Sequence, residues 1–183
     1  MGKVIVSQFI SLDGFSNGPN GELVPPAPTP DLFRYFIDVN MARKGIFIYG
    51  RVTYEGMVSY WTSPAAAPGQ AKQLAEARKV VFSKTLQKAD WGRVTIARGD
   101  DLVGDVAAMR RETDGELTIL GSPMLVNAFL RAGLVDAFHL LVNPVLLGAG
   151  TPLFQGGYDR TKWKLTSAQP FDSGPVVLNY ERA

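Results

Sequence analysis

The sequence predicts one α/β domain over residues 1–183, with a central, mostly parallel sheet, helices on both faces and an antiparallel edge at the C-terminus. Two observations support this prediction. Short β-rich apolar segments alternate with helix-like segments through the first two-thirds of the chain, and two β-like segments around a Gly-Pro turn close it. With 46% hydrophobic and 20% charged residues, a chain of 183 residues can bury one core.

The composition excludes several classes of function. The chain has no cysteine and one histidine, His139, so thiolate zinc sites, disulfides and sites with two His ligands are excluded. We find no cluster of metal ligands. A net charge of +2 without clustered basic residues argues against nucleic acid. No signal peptide and no apolar run long enough to span a membrane is recognisable, so we expect a cytoplasmic protein.

The first elements are a strand, a loop and a helix. Residues 3–12 are almost continuously apolar, as in a strand buried on both faces. A loop rich in Gly, Asn and Pro follows, up to residue 30. Thr29 can cap a helix, Pro30 suits its first position, and Asp31 suits the positive end of its dipole. The helix is predicted to end near Gly45 as a left-handed stop.

The remaining elements follow from apolar periodicity and turn residues. Asp100 is the predicted cap of the fourth helix, and His139 is expected to face outwards from its strand. Further strands are predicted at 46–49, 80–82, 94–96, 117–120, 138–145, 163–167 and 176–180, and further helices at 52–60, 70–78, 102–109 and 123–132.

Three strand-to-helix junctions carry small or cationic residues. They are Gly50-Arg51, Ser83-Lys84 and Gly121-Ser122, the last with Ser122 as a predicted helix cap. Glycine lets a ligand approach the backbone, helix N-termini attract anions, and arginine adds donors. Each junction alone is equally compatible with an ordinary turn or helix start. Together, at the carboxyl ends of parallel strands, they favour a phosphorylated ligand.

Asp31 is the most informative carboxylate. It lies in the first turn of a helix, next to a long loop. Two interpretations remain open: a surface acid that favours the helix dipole, or a cleft carboxylate that binds or protonates a nitrogen heterocycle.

An ordered set of motifs resembles a known family. The set comprises Ser11-Leu12-Asp13-Gly14, Gly50-Arg51-Val52-Thr53-Tyr54-Glu55, Ile119-Leu120-Gly121-Ser122, Gly133-Leu134-Val135-Asp136 and the segment from Pro144 to Phe154. The chain is similar to the reductase domain of bacterial riboflavin biosynthesis, within the dihydrofolate reductase-like superfamily. No zinc deaminase domain is recognised before it, so a stand-alone member is expected.

The resemblance implies a dihydrofolate reductase-like fold with an eight-stranded sheet, and NADPH as cofactor. The cofactor-binding residues it implies are Gly50, Arg51, Thr53, Ser83, Lys84, Arg98, Gly121 and Ser122, with Ser83, Lys84 and Arg98 around the 2′-phosphate. It also implies a homodimer, in which the apolar strand 138–145 would take part.

On the substrate side, the resemblance implies that Asp31 is the catalytic carboxylate. Asp13, Phe33, Tyr54 and Trp61 are the predicted substrate contacts. The implied reaction is NADPH-dependent reduction of a nitrogen heterocycle or its imine-linked sugar, such as a phosphoribosylamino-pyrimidine. A proline run stands where dihydrofolate reductases carry a tryptophan before the acid. The alternatives are a pterin reductase, a non-catalytic NADP(H)-binding protein and a dimeric scaffold.

Overall fold

The computed structural model describes residues 2–22 and 30–183 of the chain. The described strands are β1 (Val4–Ser11), β2 (Phe15–Asn17), β3 (Ile46–Gly50), β4 (Arg78–Phe82), β5 (Val94–Ala97), β6 (Leu117–Leu120), β7 (Ala137–Asn143), β8 (Thr151–Pro152), β9 (Trp163–Pro170) and β10 (Val176–Arg182). The described helices are α1 (Pro30–Ala42), α2 (Arg51–Trp61), α3 (Pro68–Glu76), α4 (Leu102–Arg111) and α5 (Pro123–Arg131). Thr29, the predicted cap of α1, lies outside the described residues.

Eight strands form one sheet in the order β5-β4-β3-β6-β1-β7-β10-β9. The first six run parallel to one another, and β10 and β9 are antiparallel additions. The predicted parallel sheet with an antiparallel C-terminal edge is therefore confirmed. Within the described part of the chain, the helices are too short or too polar to cross a bilayer.

Alternating residues of the central strands pack against two different layers of helices. In β3, Ile46 and Ile48 belong to the core beneath α4 and α5, whereas Phe47 and Tyr49 belong to the core beneath α1, α2 and α3. All five residues of β3 are buried. Burial on both faces explains why the central strands are almost continuously apolar in sequence.

The ends of two helices differ from the prediction. Lys44, with φ of 51°, takes the left-handed position after α1 that was predicted for Gly45. Gly45 is required for another reason: a Cβ there would lie 1.7 Å from the carbonyl oxygen of Glu116. For α4 the cap is Asp101, whose side chain accepts a hydrogen bond from the Gly104 amide, and not Asp100.

Lys79 is an unpredicted buried charge that completes the end of α3. Its Nζ donates to the carbonyl oxygens of Leu74, Ala75 and Ala77 at 2.5, 3.0 and 2.6 Å. It also lies 4.7 Å from the ring centroid of Trp91. The last carbonyls of a helix have no partners within the helix, so this lysine satisfies groups that burial would otherwise leave unpaired.

The prediction that His139 faces outwards is wrong. The side chain is only 1% exposed, because β7 lies between β1 and β10 and has both faces covered. Its Nδ1 lies 3.0 Å from Nη2 of Arg43, and Arg43 forms an ion pair with Glu116 at 2.8 Å. The interior position of β7 also means that this strand presents no free edge to a second copy of the chain.

Burial, with the nearby Arg43 guanidinium, lowers the pKa of His139 to about 4. Between pH 6.5 and pH 4 the unfolded chain therefore binds more protons at this residue than the folded chain, so stability must fall on acidification. We expect protonation of His139 to lower the free energy of unfolding by about 2–3 kcal/mol over that pH range. Urea unfolding at several pH values should show that the free energy of unfolding falls less on acidification in His139→Gln, which keeps an acceptor for Arg43. Identical pH dependence in both proteins would contradict the assignment.

Candidate active site

Six parallel strands end at the same edge of the sheet, and the loops that follow them form the candidate site. The strands are β5, β4, β3, β6, β1 and β7, in their order across the sheet. All three junctions identified in the sequence follow strands of this set. Ligands of open α/β sheets bind outside the carboxyl ends of the strands, so this edge is the expected location.

Two junctions are in direct contact at the centre of this edge. A Cβ on Gly50 would lie 2.3 Å from Oγ of Ser122, and a Cβ on Gly121 would lie 2.8 Å from Cγ2 of Thr53. Gly121 also has a φ of 67°, which favours glycine. The structure therefore brings Gly50, Thr53, Gly121 and Ser122 together, and neither glycine can be enlarged without displacing the opposite junction.

The helices that begin here have no side-chain cap. Gly50 precedes α2 and Ser122 precedes α5, and neither supplies a side-chain hydrogen bond to the helix amides. The predicted cap by Ser122 is wrong because the residue is left-handed, with φ of 59°, where a capping residue is normally extended. Two adjacent helix N-termini without side-chain acceptors are suited to a diphosphate.

The cationic residues predicted to bind the cofactor lie further along the same edge, in contacts that a ligand can replace. Arg51 pairs with Glu55 at 2.9 Å and Lys84 with Asp100 at 3.0 Å, both in exposed ion pairs. Exposed pairs of this kind contribute little stability, so a phosphate can replace the carboxylate. The group formed by Ser83, Lys84 and Arg98 is compact, because Nη1 of Arg98 donates to the carbonyl oxygen of Ser83 at 2.9 Å.

Asp13 joins two loops of the site. Its carboxylate accepts hydrogen bonds from the Ser11 hydroxyl at 2.6 Å, the Leu147 amide at 3.2 Å and the Gly148 amide at 2.8 Å. The bond from Ser11 and then that from Gly148 lower the pKa of Asp13 below its ordinary value. The loop after β1 is thus fastened to the loop after β7. Substrate contact by Asp13 stays a prediction.

The short strands β2 and β8 hold the same two loops together and were missed in the sequence. They pair in antiparallel fashion, with Phe15 opposite Pro152 and Asn17 opposite Thr151. Strands of three and two residues are too short to show a period of two. Gly150 permits this close approach, because a Cβ there would lie 2.1 Å from the carbonyl oxygen of Asn17. The glycine itself is the local signal that the sequence offers.

An aromatic cluster flanks the start of α1. The rings of Phe33 and Trp61 stack with centroids 5.7 Å apart and an interplanar angle of 10°. Tyr60 lies edge-on to both rings. Tyr54 is separate from this cluster: it is buried, and its hydroxyl accepts the Trp91 amide at 3.1 Å.

The aromatic residues predicted to contact the substrate are buried to different extents. Phe33 is half-buried and Trp61 is buried beneath it, whereas Tyr54 is buried in the same core and packs against Trp91 instead. Asp31 lies in the first turn of α1, two residues before Phe33. Its side chain lies outside the described part of the chain, so its catalytic role stays a prediction.

Comparison with protein families and relatives finds one family model and one relative that match almost the whole chain. The family model described as the RibD C-terminal domain matches residues 2–177. The uncharacterized protein YyaP of Bacillus subtilis strain 168 is 29% identical over 182 residues, which cover 97% of this chain and 94% of YyaP. A second uncharacterized B. subtilis protein, YwjB, is 36% identical over 77 residues, or 42% of this chain and 44% of YwjB.

Solved structures share the fold at low sequence identity. A protein named for riboflavin biosynthesis from Shewanella sp. PV-4 has a TM-score of 0.80 at 21% identity, with 99% of each chain covered. Dihydrofolate reductase from Enterococcus faecalis, in complex with NADP(H), has a TM-score of 0.69 at 16% identity, with 98% of this chain and 96% of that chain covered. The predicted dihydrofolate reductase-like fold is therefore confirmed.

A bifunctional deaminase and 5-amino-6-(5-phosphoribosylamino)uracil reductase from Thermotoga maritima has a TM-score of 0.70 at 14% identity. The match covers 100% of this chain and 57% of the bifunctional chain. At this identity the match shows the fold that the two chains share.

Replacing Asp13 by Ala should release the loop after β7. The substitution removes the acceptor of two backbone amides and one hydroxyl, so we expect the Gly148 amide to exchange its hydrogen at least about tenfold faster. Hydrogen exchange measured by NMR tests this expectation. Glu22→Ala is the matched control, because among the described residues that carboxylate accepts a hydrogen bond from the Asn20 amide, within its own turn. Unchanged exchange at Gly148 in Asp13→Ala would contradict the role of Asp13.

Proposed function

Because the chain belongs to the RibD C-terminal domain family, we propose that it is an NADPH-dependent reductase of a nitrogen heterocycle or of its imine-linked sugar. The observation that carries the proposal is the contact of two uncapped helix N-termini across Gly50, Thr53, Gly121 and Ser122. This arrangement fits a diphosphate, because backbone amides converge where no side chain fills the space.

The cationic residues account for a preference for NADPH over NADH. Gly121 follows β6, Arg51 follows the neighbouring strand β3, and Ser83 and Lys84 follow β4. Arg98 follows β5 and donates a hydrogen bond to the Ser83 carbonyl oxygen. Arg51 therefore lies between the Gly121 junction and the other cationic residues. We assign Lys84, Arg98 and Ser83 to the 2′-phosphate and Arg51 to the diphosphate. A 2′-phosphate requires additional charge-assisted donors. Lys84 can provide one by leaving Asp100, and Arg98 by turning from the carbonyl oxygens of Ser83 and Leu86.

The substrate would bind beside α1, at the ends of β1 and β7. Phe33, which is stacked on the buried Trp61, offers a flat apolar wall for a ring, and Asp31 in the same helix turn is our candidate for orienting a ring nitrogen. Bound NADPH would supply the hydride for reduction of a C=N bond at its carbon, with NADP⁺ as the other product. The nitrogen then needs a proton, which Asp31 would direct from its own carboxyl or from solvent.

Cofactor binding tests the proposal first. Calorimetric titration should show tighter binding of NADPH than of NADH. We expect Arg51→Ala to weaken NADPH by about 1.5–3 kcal/mol, or roughly ten- to a hundredfold, through loss of a charge-assisted contact. Lys72→Ala is the control, because Lys72 is an exposed lysine of α3 with the same i,i+4 type of pairing. Equal affinities for both cofactors, unchanged in Arg51→Ala, would refute the assignment.

Turnover tests the role of Asp31. Loss of NADPH absorbance is measured with pterins, a phosphoribosylamino-pyrimidine and small imines. Asp31→Asn should lower turnover at least about a hundredfold, because the amide cannot deliver a proton, while NADPH affinity stays unchanged. Binding of NADPH without reduction of any compound would instead support a non-catalytic NADP(H)-binding protein.

We also propose that the protein forms a homodimer, through β9 and not through the interior strand β7. β9 lies at the edge of the sheet, and seven of its eight residues are exposed. An edge strand of this length is a template for pairing with another chain. Light scattering should give about twice the chain mass of 19.9 kDa, and a mass near 19.9 kDa at micromolar concentration would contradict the proposal.

A further inference from the structure

A fully buried asparagine lies one turn after the start of α5. Asn127 belongs to the second turn of this helix, and its side chain is inaccessible to solvent. An amide side chain carries two N–H donors and one carbonyl acceptor, and their burial is costly unless each finds a partner. The partners of Asn127 therefore show which parts of the molecule it holds in place.

The three hydrogen bonds of the Asn127 side chain reach two different segments. Its Nδ2 donates to the carbonyl oxygens of Pro123 and Leu153, both at 2.7 Å, and its Oδ1 accepts the Gln155 amide at 2.9 Å. Pro123 is the first residue of α5, whereas Leu153 and Gln155 follow β8. Asn127 thus fastens the segment after β8 to the helix whose start is proposed for the cofactor diphosphate.

Leu153 extends this connection to the loop after β1. Its carbonyl oxygen accepts the bond from Asn127, and its amide donates to the carbonyl oxygen of Gly14 at 2.9 Å. Its side chain is fully buried in the core beneath α4 and α5. Both backbone polar groups of one buried residue are therefore engaged, one by α5 and one by the residue directly before β2.

The first turn of α5 depends on partners outside the helix backbone. Gly121 and Ser122, which precede it, are both left-handed, with φ of 67° and 59°, and no side chain caps the helix. The first amides of a helix have no partner within it, and a bound phosphate would supply the missing acceptors. Asn127 holds the Pro123 carbonyl oxygen in this same turn, so ordering of the turn also orders the side chain that holds Leu153 and Gln155.

We infer that Asn127 is a positioning residue that couples cofactor binding at the start of α5 to the loops that follow β1 and β7. This inference rests on the cofactor site proposed above and adds a coupling between that site and its neighbouring loops. With the first turn of α5 ordered by the cofactor, Asn127 fixes the segment after β8 and, through Leu153, Gly14. Hydride transfer requires reacting atoms held about 3–3.5 Å apart, so looser loops lower the rate of reduction more than they lower cofactor affinity.

Amide hydrogen exchange of the full chain, measured by NMR, tests the coupling without turnover. In the unmodified protein, saturating NADPH should slow exchange of the Leu153 and Gln155 amides at least about threefold. Asn127→Ser keeps a hydroxyl that can donate to the Pro123 carbonyl oxygen within the helix, but it is too short to hold the segment after β8. Without cofactor, both amides should exchange at least about tenfold faster in this variant, and NADPH should no longer slow them.

Two further variants separate coupling from a general loss of stability. Phe129→Leu is the matched control, because Phe129 is equally buried on α5 but its loss leaves the hydrogen bonds of Asn127 in place. NADPH should therefore still slow exchange of the Leu153 and Gln155 amides in Phe129→Leu. Asn127→Leu removes all three hydrogen bonds at similar side-chain volume, and it replaces Asn127→Ser if the serine variant does not fold.

Steady-state kinetics with any compound that the protein reduces supply a second readout. Asn127→Ser should lower kcat at least about tenfold, because the loops no longer hold the reacting groups in place. Its NADPH affinity should stay within about threefold of that of the unmodified protein, the change that the coupling itself allows. Phe129→Leu should leave kcat within about twofold, because local packing changes away from the loops do not alter their position.

The outcomes distinguish the coupling from the cofactor site itself. Equal protection of the Leu153 and Gln155 amides by NADPH in Asn127→Ser and in the unmodified protein would overturn the inference and leave the cofactor site standing. Binding of NADPH to the unmodified protein without protection of these amides would overturn it in the same way. Absence of NADPH binding in the calorimetric titration would overturn both the cofactor site and the coupling.

Discussion

The common direction of six strands is the constraint on which the site depends. Because β5, β4, β3, β6, β1 and β7 are parallel, loops far apart in sequence follow strand ends that lie side by side. The contacts of Gly50 with Ser122 and of Gly121 with Thr53 are consequences of this alignment. A slip of the register by one residue would turn the buried side chains of β3 to the opposite core and separate the two junctions.

This alignment also separates two kinds of chemistry along one edge. The residues proposed for the cofactor phosphates follow β3, β4, β5 and β6, whereas Asp13 and the exposed side chains of Leu12 and Leu146 follow β1 and β7. The uncapped starts of α2 and α5 lie between these two groups, at the centre of the edge. The proposed cofactor and substrate would therefore bind next to each other along this edge without competing for the same donors.

The sequence predicted the main sheet and the three junctions, because buried parallel strands and strand-to-helix turns have strong local signals. It failed where contacts between distant residues decide the outcome. Lys44 rather than Gly45 ends α1 because Gly45 must approach Glu116. His139 is buried because its strand lies inside the sheet, and Lys79 is buried because α3 ends above it. None of these contacts leaves a periodic pattern in the chain.

The central claim is that NADPH binds across the starts of α2 and α5. Backbone amide exchange with and without NADPH measures this most directly, because bound phosphates accept hydrogen bonds from those amides. We expect slower exchange at residues 50–53 and at Gly121, Ser122 and Met124, with no change at the opposite edge of the sheet, at residues 44–46 and 115–117. Protection at that opposite edge, or no protection with NADPH in excess, would contradict the account.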